Sequence, residues 1–294
     1  MANTRDIRRR IKSIRNTAQI TKAMQMVAAS KMRRAQEAAL SGRPYSQLLN
    51  QMLEAASDEE TFQHPLHQLR EGNRTALLVI TTDKGLCGAL NSNLLRLIAN
   101  YPAETQFVTV GRKGRQFLAR TKRNLVADFE VSEGCRFLEA KKIGSFLMKL
   151  FLEEKVDRVE VAYTNFISTL TQTPTIEPLL PLAVDFKATA AGLTVSDKAE
   201  QEVQPKEKRL ESLFEPSSRA VLESLFPHAV NFEIWHYLLE ARASEHSSRM
   251  VAMKNATDNA KQLIKDLTLE YNKIRQAAIT TELLEISAAA AAMN

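Results

Sequence analysis

Residues 20–32 read ITKAMQMVAASKM, and the way this stretch folds decides the architecture of the chain. Met, Lys, Gln and Ala are good helix formers, so the segment is expected to be helical. No glycine or proline occurs from Met1 to Ser41, and none from His228 to Asn294. Two long helices flanking a punctuated middle explain that distribution most simply. Residues 228–294, if helical throughout, would span roughly 100 Å, several times the diameter of a small domain, so that helix is expected to project.

Both termini carry apolar stripes. Near the start, Ile7, Ile11, Ile14 and Ala18 follow a helical spacing that Ile20, Met24 and Val27 continue. Near the end, Ala256, Ala260, Leu263, Leu267, Tyr271, Ile274 and Ala278 form a heptad seam with one stutter,. Each stripe needs a partner, so the two helices are expected to pair as an antiparallel coiled coil. The small residues Ala28, Ala29 and Ser30 would let them approach closely.

The middle alternates strand and helix. Residues 75–82, 106–111, 125–130 and 158–163 read as short buried strands, with helices over about 88–100, 113–121 and 136–155 between them,. That alternation predicts an α/β domain with a mostly parallel sheet covered by helices. Residues 171–182, TQTPTIEPLLPL, suit a proline-broken edge strand and its exit, and 188–210 read as a charged, mobile connection. The expected division is an N-terminal coiled-coil helix over 1–58, the α/β domain over 72–185, a charged linker over 186–210, and a last part over 211–294 that holds the C-terminal coiled-coil helix.

Charge is concentrated at one end. The formal total is +6, but residues 1–43 hold 11 basic and two acidic side chains, leaving 29 basic and 32 acidic in the remainder. The excess positive charge thus lies in the first helix. A nucleic-acid arm of the basic-zipper kind would need a Leu-rich dimer seam downstream, which residues 40–70 lack. A charged helix facing acidic protein loops fits better. Two cysteines, Cys87 and Cys135, are too few for a disulfide framework and suit a reducing compartment,. No apolar run is long enough to span a bilayer.

The candidate catalytic features are weak. DKGLCGALN, within residues 83–91, leaves a strand through Gly85 and Gly88, where α/β proteins often hold a phosphate, yet it fits neither common phosphate-binding pattern and is read as a structural tight turn,. GRKGR at 111–115 is weaker still. Cys87 has no base nearby in sequence, the histidines lack metal-ligand spacing, and Glu233, Glu240 and Glu245 look like ordinary helix-face carboxylates. No catalytic residue, cofactor site or metal site is expected.

Three long motifs carry a resemblance: RDIRRRIKSIRNTAQITKAMQMVAASKM at the start, DKGLCGALN in the middle, and ASEHSSRMVAMKNATDNA with YNKIRQAAITTELLEI at the end. Together they resemble the gamma subunit family of F-type ATP synthases. The resemblance starts almost at Met1, leaving no room for a transit peptide and favouring a bacterial protein, peripheral to the cytoplasmic face of the inner membrane. It implies an antiparallel coiled coil with a Rossmann-like α/β domain, serving as a non-catalytic central-stalk rotor that couples proton-driven rotation of the membrane c-ring to the catalytic beta subunits. Implied partners are three alpha and three beta subunits, epsilon and the c-ring, and no nucleic acid.

By motif, Arg249, Arg275, Gln276, Thr280 and Glu282 match positions that in the family make polar contacts with a beta subunit, and Met24 matches a position facing beta. LFEP at 213–216 resembles the foot that meets epsilon and the c-ring, with Phe214 and Glu215 as contacts. The small residues of SAAAAAMN, 287–294, suit a shaft end inside a tight apolar sleeve. Photosynthetic relatives carry a redox-switched cysteine pair after the segment matching 179–182. Residues 183–208 contain no cysteine, so no thiol regulation is expected there.

Overall fold

The computed structural model describes residues 4–57, 64–70, 72–182 and 217–292. In chain order the elements are α1 (Thr4–Ser57), β1 (Thr75–Ile80), α2 (Leu90–Ile98), β2 (Gln106–Val110), α3 (Arg112–Arg120), β3 (Leu125–Phe129), α4 (Phe137–Leu152), β4 (Arg158–Phe166), β5 (Gln172–Leu180) and α5 (Ser218–Ala292). They form two compact units, one of Met1–Ala28 with Arg249–Asn294 and one of Ala29–Ser248. The expected linker over 186–210 and the foot segment with Phe214 and Glu215 lie outside the described residues.

In the first unit α1 and α5 run antiparallel. Arg8 donates from Nη2 to the Tyr271 hydroxyl, and the hydroxyls of Thr21 and Thr257 lie 2.7 Å apart. The residues turned inward on α1 are Ile7, Ile11, Ile14, Ala18, Thr21 and Ala28; on α5 they are Met253, Thr257, Ala260, Ile264, Leu267, Tyr271 and Ile274. On α5 these alternate spacings of four and three without a break, so the stutter expected from sequence is absent.

Three residues assigned to the seam face solvent instead: Ile20 is 61% exposed, Val27 54% and Leu263 47%. Ala278 is exposed as well, whereas Ala256 is half-buried, as Ile264 and Leu267 are, and flanks the seam. The heptad phase places Thr21 rather than Ile20 at the interface. A threonine is tolerated there because its hydroxyl finds partners within the seam: of the two hydroxyls one donates across to the other, which in turn donates to a carbonyl of its own helix, Ala18 for Thr21 at 3.1 Å or Met253 for Thr257 at 2.8 Å,.

The second unit is built on a five-stranded sheet of order β3-β2-β1-β4-β5, parallel except for the antiparallel β4–β5 pair. β1 is the central strand, and its run TALLVI is buried almost throughout because both faces of a parallel sheet are covered,. One face packs Leu78, Val108, Val161 and Tyr163 against α4 and segments of α1 and α5. The other packs Leu77, Val79, Phe107 and Ala162 against α2 and α3. β5 is an edge strand, which is where Pro174 and Pro178 cost no ladder hydrogen bond within the sheet interior,.

Both long helices pass through residues that usually end helices. α1 continues through Gly42 and Pro44, and α5 starts ten residues before His228 and contains Pro227. At Gly42 an added Cβ would sit 3.2 Å from the Trp235 ring, so the missing side chain is what admits the indole. Trp235 in turn donates from Nε1 to the Cys135 carbonyl at 2.7 Å. Around it Leu49, Leu53, Leu222, Ala229 and Phe232 form a separate apolar cluster, whose burial holds these imperfect helical stretches in place,.

Candidate partner interface

The place where this fold would bind a small ligand is the crevice at the C-terminal ends of β1 and β4, where the strand order reverses,. The DKGLCG turn lies there, with Leu86 and Gly88 both at positive φ. α5 fills the crevice. Ser244 donates to the Thr164 carbonyl at 2.9 Å, Ser248 to the Cys87 carbonyl at 2.7 Å, and Arg242 to the Val131 carbonyl at 3.0 Å while pairing with Glu245 at 2.9 Å. What remains between Thr81, Thr82, Thr164, Arg242 and Glu245 has room for about one water,.

The first N–H groups of α3, the other natural anion site, are also engaged. Arg112 donates to Asp83 Oδ1, Lys113 to the Thr82 carbonyl and Gly114 to Thr81 Oγ1,. The glycine turn therefore serves as the seat for α5 and the start of α3. Cys87 is buried with its sulfur accepting from Asn91 Nδ2, and Cys135 is buried with its thiol pushed up by desolvation. Among the described residues no group of His, Cys, Asp and Glu could hold a metal ion.

The histidines have structural partners. His67 bonds the Leu182 carbonyl, His64 stacks on Phe226, His228 bonds Tyr45, and His236 lies 3.1 Å from Glu240. The helix carboxylates, however, are not the surface groups expected: Glu240 is 1% exposed and Glu245 5%. Glu233 turns its carboxyl onto Tyr237, 3.0 Å away. Local sequence missed this because Tyr163 on β4 and Glu177 on β5, which face Glu233 and Glu240, and Thr81, Thr82 and Thr164, which line the crevice with Glu245, are all distant in sequence.

An unpartnered surface appears in the first unit instead. The seam on α5 ends at Ile274, which faces the first turn of α1, and the helix continues to Ala292. From Arg275 to Ala289 no residue is buried, and Ile279, Leu283, Leu284 and Ile286 stand in solvent. This stretch is roughly 27 Å long, and a cluster of large exposed apolar side chains on it marks a surface meant to be covered. Thr280 and Thr281 turn their hydroxyls back to the carbonyls of Gln276 and Ala277 at 2.9 Å, which leaves their methyl groups outward.

The sequence-derived contact residues fall at separate levels of this unit. Met24 is half-buried, like Ile11 and Ile14 of the seam, while Ile20 and Val27, read with it as one apolar face, stand in solvent. Arg249 is half-buried at the opposite end of the coiled coil from the tip. Arg275, Gln276, Thr280 and Glu282 lie together on the unpaired turns, all exposed. The paired register puts Met24 beside Lys254, so about 33 Å of helix separates it from Gln276,.

The coiled-coil unit also carries the whole net positive excess of the chain. Residues 1–28 contain seven basic and one acidic side chain, and residues 249–294 six and five. No helix among the described residues is long and apolar enough to cross a membrane.

Comparison with known proteins adds the relatives. The family model described as ATP synthase matches residues 3–293. The chain is 50% identical to the ATP synthase gamma chain of Opitutus terrae over 98% of both chains, and 47% identical to that of Methylacidiphilum infernorum over the full length of both. Among solved structures it resembles a chain of the Euglena gracilis mitochondrial ATP synthase OSCP/F1/c-ring assembly (TM-score 0.69, 21% identity, 99% of this chain and 94% of that one). It also resembles one of the Tetrahymena thermophila mitochondrial ATP synthase central stalk and c-ring (TM-score 0.58, 28% identity, 81% and 99%).

Proposed function

We infer, since the chain belongs to the ATP synthase gamma-chain family, that it is the central-stalk rotor subunit of an F-type ATP synthase and is itself non-catalytic. The observation that carries this reading is the α5 tip, a helix that leaves the seam with α1 at Ile274 and then displays Ile279, Leu283, Leu284 and Ile286. Such a tip suits a sleeve that surrounds it and lets it turn. The small side chains of Ala288 and Ala289 at its end offer little to hold against rotation.

In this role the partners are three alpha and three beta subunits around the coiled coil, with epsilon and the c-ring at the other end. The contacts to beta are assigned to Met24, Arg249, Arg275, Gln276, Thr280 and Glu282, and those to epsilon and the c-ring to Phe214 and Glu215. The functional division is a shaft of residues 1–58 and 211–294 carrying an α/β domain of 72–185, joined by the segment 186–210. The excess of basic side chains on the shaft favours acidic loops on the beta subunits,. The complex is placed on the cytoplasmic face of a bacterial inner membrane, coupled to proton flow. Each angular position of the shaft favours a different conformation at each catalytic site, a population shift driven by a turning partner.

Reconstitution with alpha and beta subunits tests this. ATP hydrolysis by the assembled ring should depend on one copy of the chain and fall sharply when the chain is cut after Ile274. A folded chain that neither assembled nor changed turnover would refute the rotor role.

A further inference from the structure

The contact between α5 and the β4–β5 hairpin contains a proton-counting problem. Tyr237 on α5 places its hydroxyl 3.1 Å from Glu177 Oε2 on β5 and 3.0 Å from Glu233 Oε1 on its own helix. Tyr163 on β4 donates to the other Glu177 oxygen at 2.9 Å. The two tyrosine rings lie against each other, centroids 4.5 Å apart, and both are buried. A tyrosine hydroxyl has one hydrogen to donate, so it cannot serve two carboxylates at once.

The three contacts close only if one of the two carboxyls holds a proton, on Glu233 or on Glu177,. With the charge on Glu177 that carboxylate accepts from both tyrosines, whereas on Glu233 it would accept from Tyr237 alone, so the first arrangement is favoured,. The hydrogen of Tyr237 then points to Glu177, and the remaining contact, with Glu233, closes only if Glu233 supplies the hydrogen. We propose that a proton bound on Glu233 latches α5 to the edge of the sheet, Glu233 donating to Tyr237 and Tyr237 to Glu177, and that release of this proton to water unlatches α5 from β5.

The surroundings agree. Burial, with Glu177 adding to it, pushes the Glu233 carboxyl up to about 7, against smaller opposing effects of the Tyr237 hydrogen bond and of His236. The titratable groups facing Glu233 are Tyr237 and His236 on α5 and Glu177 on β5; Tyr163 of β4 and Glu240 of α5 stand behind them. The sign follows from linkage. A carboxyl raised in the folded state contributes stability that is full below its unfolded value of about 4.5 and is lost as pH rises through about 7,.

Hydrogen exchange on the full chain reads the latch. After correction for intrinsic chemistry, amides of 172–180 and of 229–245 should lose roughly 30-fold in protection between about pH 5.5 and 8. Strand 75–80 reports whether the core stays folded. Glu233→Gln keeps a donor for Tyr237 without an ionisable proton, so its protection should stay at the low-pH level and be flat. Glu177→Gln removes the neighbouring negative charge, so the pH step should move toward acid. A wild-type profile without a step, or a Glu233→Gln profile that retains it, overturns the proposal. If Glu233→Gln fails to fold, an unmoved step in Glu177→Gln overturns it equally.

Discussion

The Thr21–Thr257 layer allows a quantitative test of the coiled-coil phase. The two hydroxyls meet at 2.7 Å inside the seam, and each also has a carbonyl of its own helix. Changing Thr21 to Val removes one hydroxyl pair, worth about 1 kcal/mol, but leaves Thr257 bonded to Met253 rather than orphaned,. The new methyl group, if buried, returns about 0.8 kcal/mol. Either single Thr→Val variant should therefore lie within about 0.5 kcal/mol of the parent. The double variant replaces both hydroxyls with matched methyl groups and should be about 0.5–1.5 kcal/mol more stable, with a coupling between the sites near 1 kcal/mol. Exchange of the amides of 8–28 and 253–274 gives the local opening free energy directly. If a single variant lost more than about 2 kcal/mol, or the double were less stable than both singles, the hydroxyls would be doing something other than filling the seam.

Three further outcomes follow from particular contacts. Gly111→Ala puts a Cβ 2.2 Å from the Thr81 carbonyl at a φ of 94°, and should destabilise the second unit by about 2 kcal/mol or more in urea unfolding,. Gly144→Ala meets Asn231 Oδ1 at 2.0 Å and should cost about 1–3 kcal/mol by forcing α4 and α5 apart, read most directly in the Trp235 fluorescence,. Asp157, nearly buried, accepts from the Arg74 backbone and guanidinium, which hold its carboxyl below the usual value. Its contribution should be present above about pH 4 and fall away as pH drops through the depressed value, and urea midpoints of Asp157→Asn should converge with the parent's in that acid range.

Most of the α/β unit was legible because continuous apolar runs such as TALLVI bounded by turn residues have few alternatives to a buried strand. β4 extends beyond the expected 163 to Phe166, since its last residues pair with β5, a partner that local pattern does not reveal. The coiled coil was legible in kind but not in phase. Hydrophobicity ranks Ile20 above Thr21, whereas helix geometry and a hydroxyl able to bond its own backbone decide in favour of the threonine,. The outward Ile20, Val27 and Leu263 were thus counted as core. Likewise Glu233 and Glu240 seemed ordinary because their burial comes from β4 and β5, distant in sequence.

The unbroken alternation of four and three along Met253–Ile274 has a mechanical consequence. A repeat of 3.5 residues on helices that prefer 3.6 wraps the pair into a left-handed supercoil. Such a rope is chiral: torsion of one sense winds its strands tighter and torsion of the other loosens them. The coiled coil therefore has unequal stiffness to clockwise and anticlockwise twist, a direction sense written into the spacing of seven side chains.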